Sequence, residues 1–372
     1  MKVALCIRKE YKTQWGGDSV QITKTKEWLD KLFTITTEII VHPELLDESF
    51  DLVHIFNIAT KDETQSFFIN AKALNKKIVL STIFWDYKYQ ATKDFAKMLN
   101  FNVFTPPGII DIFTNLDNIT SILINKPRII SSNFRQFVTY CVQQSDVLLP
   151  NSFEELKHVA DFTKLDFQSL KSKTIVVVNA ADAVEENEAL DIFSKYGLPQ
   201  KYILQVGRIE YIKNQLGLVT ALQNNKELPI VFLGRINDEK YFKVLKKKSE
   251  ERGNVFFINE VEHKDIHQFY KNALLHVLPS MRESPGLVNL EALLNECPIV
   301  VSNHKFLPFD TYFKGIATDV DPLSPASIKK GIYKELKIKR DMPAIKQLIK
   351  EKFSWQQAAT QTYEGYMKAL TI

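Results

Sequence analysis

Short runs rich in Val, Ile, Leu and Phe recur along this chain, and after each of them the apolar spacing lengthens to a helical period. KVALCIR is followed by VQITKTKEWLDKLF, DLVHIFNI by ETQSFFINAKAL, and KKIVLSTIFW by YQATKDFAKML. A run that is apolar throughout fits a strand buried on both faces, and the amphipathic stretch after it fits a crossover helix. The alternation predicts βαβ units around a parallel sheet. The rhythm resumes with KYILQVG, PIVFLG, NVFFIN, HVLPS and PIVVSN, which lead into helical patterns such as QLGLVTALQ and EHKDIHQFYKNAL. A second parallel α/β sheet is expected there.

Between the halves, TIVVVNAADAVEENEA passes from a strand to an acidic polar stretch. The boundary is placed near Asp182, giving an N-terminal domain 1–183 and a C-terminal domain that begins at 184. Two domains also suit a length of 372 residues, since one domain usually takes about 100 to 200, and they leave room for a cleft. Residues 104–132, with Pro106-Pro107-Gly108, are the least periodic and read as an excursion over such a cleft.

Composition narrows the classes. Charged residues make up 25% and hydrophobic residues 45%, and the formal charge is +4, which does not point to a nucleic-acid partner. Lysines cluster at Lys246-Lys247-Lys248 and from Lys329 to Arg340, readable as solvated helix faces or as a contact with anionic headgroups. Cys6, Cys141 and Cys297 are odd in number, far apart and set in apolar runs. No disulfide framework or CxxC site is implied, and a reducing cytosol fits. The start MKVALCIRKEYK has too short an apolar segment for a signal peptide, and no apolar run reaches the roughly 18 residues of a membrane span.

Ligands of parallel sheets bind beyond the carboxyl ends of the strands, so the residues after each strand are the candidates. In VGRIEYIKNQ, Gly207 permits close backbone approach at a strand end. Arg208 offers a planar fork for phosphate oxygens, Lys213 adds a mobile charge, and Asn214 opens a helix whose N-terminal amides favour an anion. The alternative is an Arg208–Glu210 pair and a solvated Lys213.

In HVLPSMRESPGLVNLEALLNE, Pro285 suits the first helical turn because its missing N–H has no intrahelical partner there. The amides of Gly286, Leu287 and Val288 then point out of the helix start, with Glu283 and Ser284 beside them on the loop. Glu283 and Glu291 suit a glycoside hydrolase pair poorly, although loop geometry could shorten their separation. Such carboxylates lie roughly 5 to 9.5 Å apart, whereas eight helical residues rise about 12 Å. The spacing suits a grip on two parts of one extended ligand. For Glu291 alone an exposed helix position, and for Glu283 alone a helix cap, are the plainer readings.

Other signals are weaker. In WGGDSVQI, Gly16 and Gly17 could bring backbone amides to a phosphate, although a flexible turn explains a lone GG as well. His263 and His267 have i, i+4 spacing without an HExxH glutamate and read as two surface histidines. Asp319-Val320-Asp321 could hold a divalent cation, but reads as a loop with a helix cap before a helix starting near Ser324. No G-x-S-x-G elbow, P-loop or CxxC is present to argue for an acyl hydrolase, a P-loop NTPase or a redox enzyme.

Taken in order, YILQVGRIEYIKNQ, PIVFLG and HVLPSMRESPGLVNLEALLNECPIVVSN resemble the family-4 retaining glycosyltransferases of the GT-B fold. SDVLLPNSFEELKHV, IVVVNAADA, VDPLSPASI and FSWQQAATQTYEGY are supporting matches; the second half is covered well and the first loosely. The resemblance implies two Rossmann-like domains with parallel sheets facing across a cleft. The C-terminal domain, 184–354, would hold a nucleotide-sugar donor and the N-terminal domain the acceptor, with 355–372 as a helix packing back on the N-terminal domain. Arg208 and Lys213 would neutralise the diphosphate, Glu283 and the Gly286 and Leu287 amides would hold the transferred sugar, and Glu291 the ribose. Gly234, Arg235, Glu260 and Val261 would enclose the base, with uridine favoured. Retention of configuration follows front-face attack assisted by the leaving diphosphate. No metal cofactor is expected, because two fixed cations stand at the leaving group. The acceptor would be a glycan or a lipid-linked glycan, and the enzyme cytoplasmic, with peripheral contact at the inner membrane face. Where the family often has a histidine after the strand 77–83, this chain has Trp85 and Asp86, so Asp86 is the candidate at that place. An epimerase or phosphorylase on the same fold, and a non-catalytic nucleotide-sugar-binding subunit, are the rival readings.

Overall fold

The structure, a computed structural model, describes residues 1–85, 132–182, 191–262 and 265–372. Asp86, His263 and nearly all of the stretch 104–132 lie outside the described residues.

Two compact units divide the chain, one formed from 1–86, 130–180 and 352–372 and the other containing 181–351. The first is built on a five-stranded parallel sheet of order β2-β1-β3-β4-β5. Its strands are β1 (Lys2–Cys6), β2 (Thr36–Ile40), β3 (Leu52–Phe56), β4 (Lys77–Ser81) and β5 (Val147–Leu148). Val3, Leu5, Leu52, Phe56, Val79 and Val147 pack with Ile22 and Leu29 of the helix Gly17–Leu32. Trp355, Ala358, Ala359 and Tyr366 of the helix Trp355–Thr371 join the same cluster. That last helix is fastened by more than apolar contact. Tyr366 Oη lies 2.8 Å from His54 Nδ1, and the Gln361 side chain accepts from the Val178 N–H at 2.9 Å.

The second unit carries a six-stranded parallel sheet of order β11-β10-β9-β6-β7-β8. These are β6 (Tyr202–Val206), β7 (Ile230–Leu233), β8 (Val255–Ile258), β9 (Ala273–Leu278), β10 (Ile299–Ser302) and β11 (Thr318–Val320). Apolar residues of β6, β7, β9 and β10 pack with Leu218 and Val219 of the helix Gln215–Ala221, Tyr241 and Leu245 of Glu239–Arg252, and Ile328 and Ile332 of Pro325–Glu335. Both faces of the sheet are covered, which explains why these strands read as unbroken apolar runs. Arg252, fully buried, donates to the carbonyls of Leu222, Asn225, Leu228, Gly253 and Asn254 at 2.6–3.2 Å.

Several expectations need correction. The run TIVVV forms no strand; Thr174 makes one bridge with Leu148, and Ile175 and Val177 donate to Leu148 and Pro150 as the chain runs beside the short β5. Asp319 lies within β11, and the cap of the following helix is Ser324, whose hydroxyl accepts from the Ser327 N–H at 3.2 Å. His267 is buried rather than at the surface, 2.8 Å from the Gln268 amide. No described helix is long and apolar enough to cross a membrane.

Candidate functional site

The candidate residues of the second unit gather at the carboxyl ends of β9, β6, β7 and β8, which are neighbours in the sheet. Gly207 follows β6 with φ +144° and Gly234 follows β7 with φ +150°. Side chains rarely adopt this backbone region. A Cβ at Gly234 would fall on the carbonyl oxygen of Gly207, so two strand tips touch backbone to backbone. The Gly207 N–H donates to Leu233 O and the Ile209 N–H to Arg235 O, both at 2.9 Å. Glu260 and the half-buried Val261 follow β8 in the same row of tips.

The segment after β6 is anchored from below. Ile209, Tyr211 and Ile212 are buried, while the Arg208 side chain is 45% exposed and pairs with Glu210 at 3.0 Å. That is the plainer alternative for Arg208, and it leaves nearly half of the guanidinium side chain facing solvent. The Gln205 amide donates to Lys213 O at 2.6 Å and the Gln215 amide to Arg208 O at 2.9 Å. Asn214, at φ +54°, donates to Pro279 O at 3.1 Å and Pro322 O at 2.7 Å and accepts from the Gly217 N–H at 3.2 Å. Its side chain is committed to the fold, stapling the loops after β6, β9 and β11.

Those staples bring Lys213 to Glu283. The Met281 N–H donates to Ile212 O at 2.8 Å and the Glu283 N–H to Phe306 O at 2.9 Å, which holds the loop after β9 against the segment after β6. Lys213 Nζ and Glu283 Oε1 form an ion pair in which the side chains are only 16% and 8% exposed. The Lys213 stem passes over Gly207, its Cδ and Cε 3.9 Å from where a Cβ would stand.

The helix Leu287–Leu294 starts later than expected. Gly286, at φ +86°, is its N-cap, so Pro285 precedes the cap instead of occupying the first turn, and the Ser284–Pro285 peptide is cis. A chain turning into the helix through a positive φ requires glycine at the cap, which displaces proline outward. Glu283 Oε2 lies 3.2 Å from the position of a Gly286 Cβ, so the carboxylate sits directly on the helix entrance beside Ser284. The amides of Leu287 and Val288 belong to the first turn and have no intrahelical acceptor.

Glu291 stands on the second turn, where Tyr270 Oη lies 3.2 Å from Glu291 Oε2 and 3.2 Å from Val288 O. Burial, and then the neighbouring Glu291 charge, push the Tyr270 phenol well above its ordinary pKa, so it remains a neutral donor. Its ring meets His276 edge to face at 5.7 Å. His276 accepts from the Val206 N–H at 3.2 Å, and burial holds its pKa down to about 3. Tyr270 and His276 were not foreseen as parts of the site. The only local signal is a hydroxyl and an imidazole set in the otherwise apolar stretch FYKNALLHVL.

Gly16 and Gly17 belong to the first unit, where a charged pair stands at the helix entrance. Gly16 caps the helix Gly17–Leu32, its N–H donating to Ser19 Oγ at 3.3 Å. The helix entrance already holds a carboxylate, Asp18, which accepts from the Ser19 N–H at 2.9 Å and is gripped by Arg8 at 2.8 and 3.0 Å. Burial would raise the Asp18 pKa, but the Arg8 bonds outweigh it and the carboxyl is held below its ordinary range. Asp18 and Arg8 thus form a neutral pair at the helix entrance.

Among known proteins, the family described as glycosyl transferases group 1 matches residues 189–347. O-antigen chain mannosyltransferase B of Escherichia coli is 30% identical over 193 residues, 48% of this chain and 49% of that one. The chain thus spans about half the length of that relative. Sucrose-phosphate synthase from Thermosynechococcus elongatus superposes with a TM-score of 0.70 at 12% identity, over 100% of this chain and 99% of that one. The Anabaena protein HepE, solved with UDP and glucose, superposes with a TM-score of 0.69 at 14% identity over 99% of both chains. Two Rossmann-like parallel-sheet units and these superpositions establish the architecture. The chain has the GT-B fold, and residues 189–347 of it match the glycosyl transferases group 1 family.

Proposed function

We propose that this protein transfers a hexose from a nucleoside diphosphate sugar to a glycan or lipid-linked glycan acceptor, with retention of configuration and without a metal ion. One observation carries the reading: within the stretch that matches the group 1 family, Arg208, Lys213, Glu283 and the entrance of the helix Leu287–Leu294 lie at adjoining strand ends. Two cations there meet a diphosphate, a carboxylate beside free helix amides meets sugar hydroxyls, and Glu291 meets the ribose. Gly234, Arg235, Glu260 and Val261 border the same row and would enclose the base.

The chemistry follows from charge. Cleavage of the sugar–phosphate bond leaves an oxocarbenium-like sugar and a diphosphate bearing the bonding electrons. Arg208 and Lys213 stabilise that diphosphate as its charge grows, which is the part played elsewhere by a divalent cation. The departing phosphate oxygen takes the proton of the acceptor hydroxyl as it attacks the same face, so configuration is retained. The protein contributes positioning and electrostatics. A lipid-linked acceptor would place the enzyme at the cytoplasmic face of a membrane. The name of the E. coli relative supports mannose among the candidate sugars, and the UDP bound by the Anabaena protein supports uridine among the candidate bases.

A thermal-shift panel of UDP-, GDP- and ADP-sugars tests this, followed by product analysis with the donor that stabilises. A ligand at 100 times its dissociation constant adds about 2.7 kcal/mol. No stabilisation by any nucleotide sugar would remove the basis of the reading.

A further inference from the structure

We propose that Glu283 is the resident counter-ion of Lys213, and that a donor binds by exchange of partners, its diphosphate taking Lys213 and a sugar hydroxyl taking Glu283. The inference rests on the donor-site reading above and adds an order of preference among ligands.

The two ion pairs of the site differ in kind. Arg208–Glu210 is open to water on the arginine side, at 45% exposure, whereas Lys213 and Glu283 are 16% and 8% exposed. Arg208 and Lys213 thus each stand beside a carboxylate, Glu210 and Glu283 respectively.

The geometry decides which partner moves. Glu283 is fixed through its N–H to Phe306 O, and its Oε2 lies 3.2 Å from where a Gly286 Cβ would stand. Lys213 has a flexible four-carbon stem lying over Gly207, where no side chain obstructs it. An arriving phosphate draws the ammonium away, and Glu283 stays behind, buried and charged. A buried carboxylate that loses its partner is costly. A nucleoside diphosphate leaves that cost unmet; a nucleotide sugar meets it by offering a hydroxyl to the vacated carboxylate.

The site thus discriminates for the intact donor and against the diphosphate that remains once the sugar has gone. After transfer, Glu283 competes for Lys213 again, which speeds release of the spent nucleotide. The same carboxylate serves as sugar ligand and as the group that expels the product.

The test is calorimetric titration of UDP, GDP and ADP, and of the matching nucleotide sugars, into wild type, Glu283→Gln and Glu283→Asp near neutral pH. Glu283→Gln is expected to bind the nucleoside diphosphate about tenfold more tightly than wild type, because Lys213 is released from its pair. Its preference for the nucleotide sugar over the diphosphate should shrink by at least as much. Glu283→Asp keeps the charge and should bind the diphosphate less tightly than Glu283→Gln. Should Glu283→Gln not fold, as judged by its melting transition, Glu283→Ala carries the same expectation. Unchanged or weaker diphosphate binding in the folded charge-removed variant overturns the inference while leaving the donor site in place. Absence of nucleoside diphosphate and nucleotide-sugar binding by wild type overturns the donor-site reading, and this inference with it.

Discussion

The Tyr270 hydroxyl, fully buried, stands 3.2 Å from Glu291 Oε2 and so fixes a carboxylate on the helix that begins at the Glu283 loop. Glu291 is the proposed ribose ligand, which makes Tyr270 a positioning residue. Tyr270→Phe removes one hydrogen bond to a charged acceptor, worth about 1.5 kcal/mol or tenfold at the lower end of its range. KM for the nucleotide sugar should rise by that factor while kcat stays within about twofold. In a Tyr270→Phe, Glu291→Gln double variant the losses should not add, since both act on one contact. Equal losses in kcat alone would assign Tyr270 a different part.

Gly234→Ala should be strongly destabilising for a protein carrying so small a change. The new methyl lands on the Gly207 carbonyl, and the backbone at φ +150° is strained for any side chain. Strain of this kind costs about 1–3 kcal/mol, with the steric displacement of the β6 tip in addition. A lower denaturation midpoint at unchanged m-value is the expected result, and donor binding should fall with it. An unaltered midpoint would mean that the two tips do not touch.

Arg208→Ala should leave the melting transition near that of wild type, because the side chain is 45% exposed and pairs only with Glu210 among the described contacts. Turnover should fall by about 10² to 10³, the usual loss for one donor to a developing anion. Full turnover in the variant would remove Arg208 from the diphosphate.

Stability should fall on mild acidification. Burial holds His54 in the first unit and His276 in the second down to about 3, against 6.5 for an ordinary histidine. Below pH 6.5 the unfolded chain takes up protons that the folded chain refuses until near pH 3. Stability is therefore complete above pH 6.5 and declines as pH falls toward 3, by up to about 1.4 kcal/mol per pH unit for each histidine. Asp18, with its lowered pKa, adds a further loss beneath its ordinary value of 3.8. Urea denaturation across this range checks the slope. A flat profile between about pH 7 and 5 would show that the histidines titrate freely in the folded state.

Much of the fold is readable from local pattern. The runs that become β1, β3, β4, β6, β7, β9 and β10 are apolar because helices cover both faces of each sheet, and burial on two faces leaves no alternation to misread. Two edge strands lack that signature. Thr36–Ile40 alternates exposed and buried positions, and Thr318–Val320 is short and polar at its centre; both lie at the rim of their sheets and neither is evident in the sequence. TIVVV has every strand propensity but meets only the two-residue β5, so it gains a single bridge.

The site divides in the same way. That Gly207, Arg208, Lys213, Glu283, Gly286 and Glu291 follow strands or open helices is written in neighbouring residues, because strand ends, turns and caps are chosen within a few positions. That Lys213 meets Glu283, seventy positions away, and that Tyr270 holds Glu291, twenty-one positions away, is not. Those pairings depend on β9 lying beside β6, on the Asn214 side-chain staple and on the Met281 and Glu283 backbone staples, all properties of sheet order. The chain-local chemistry set which groups stand ready; the folded sheet decided which of them neutralise each other, because Coulomb energy and desolvation depend on distance in space rather than along the chain.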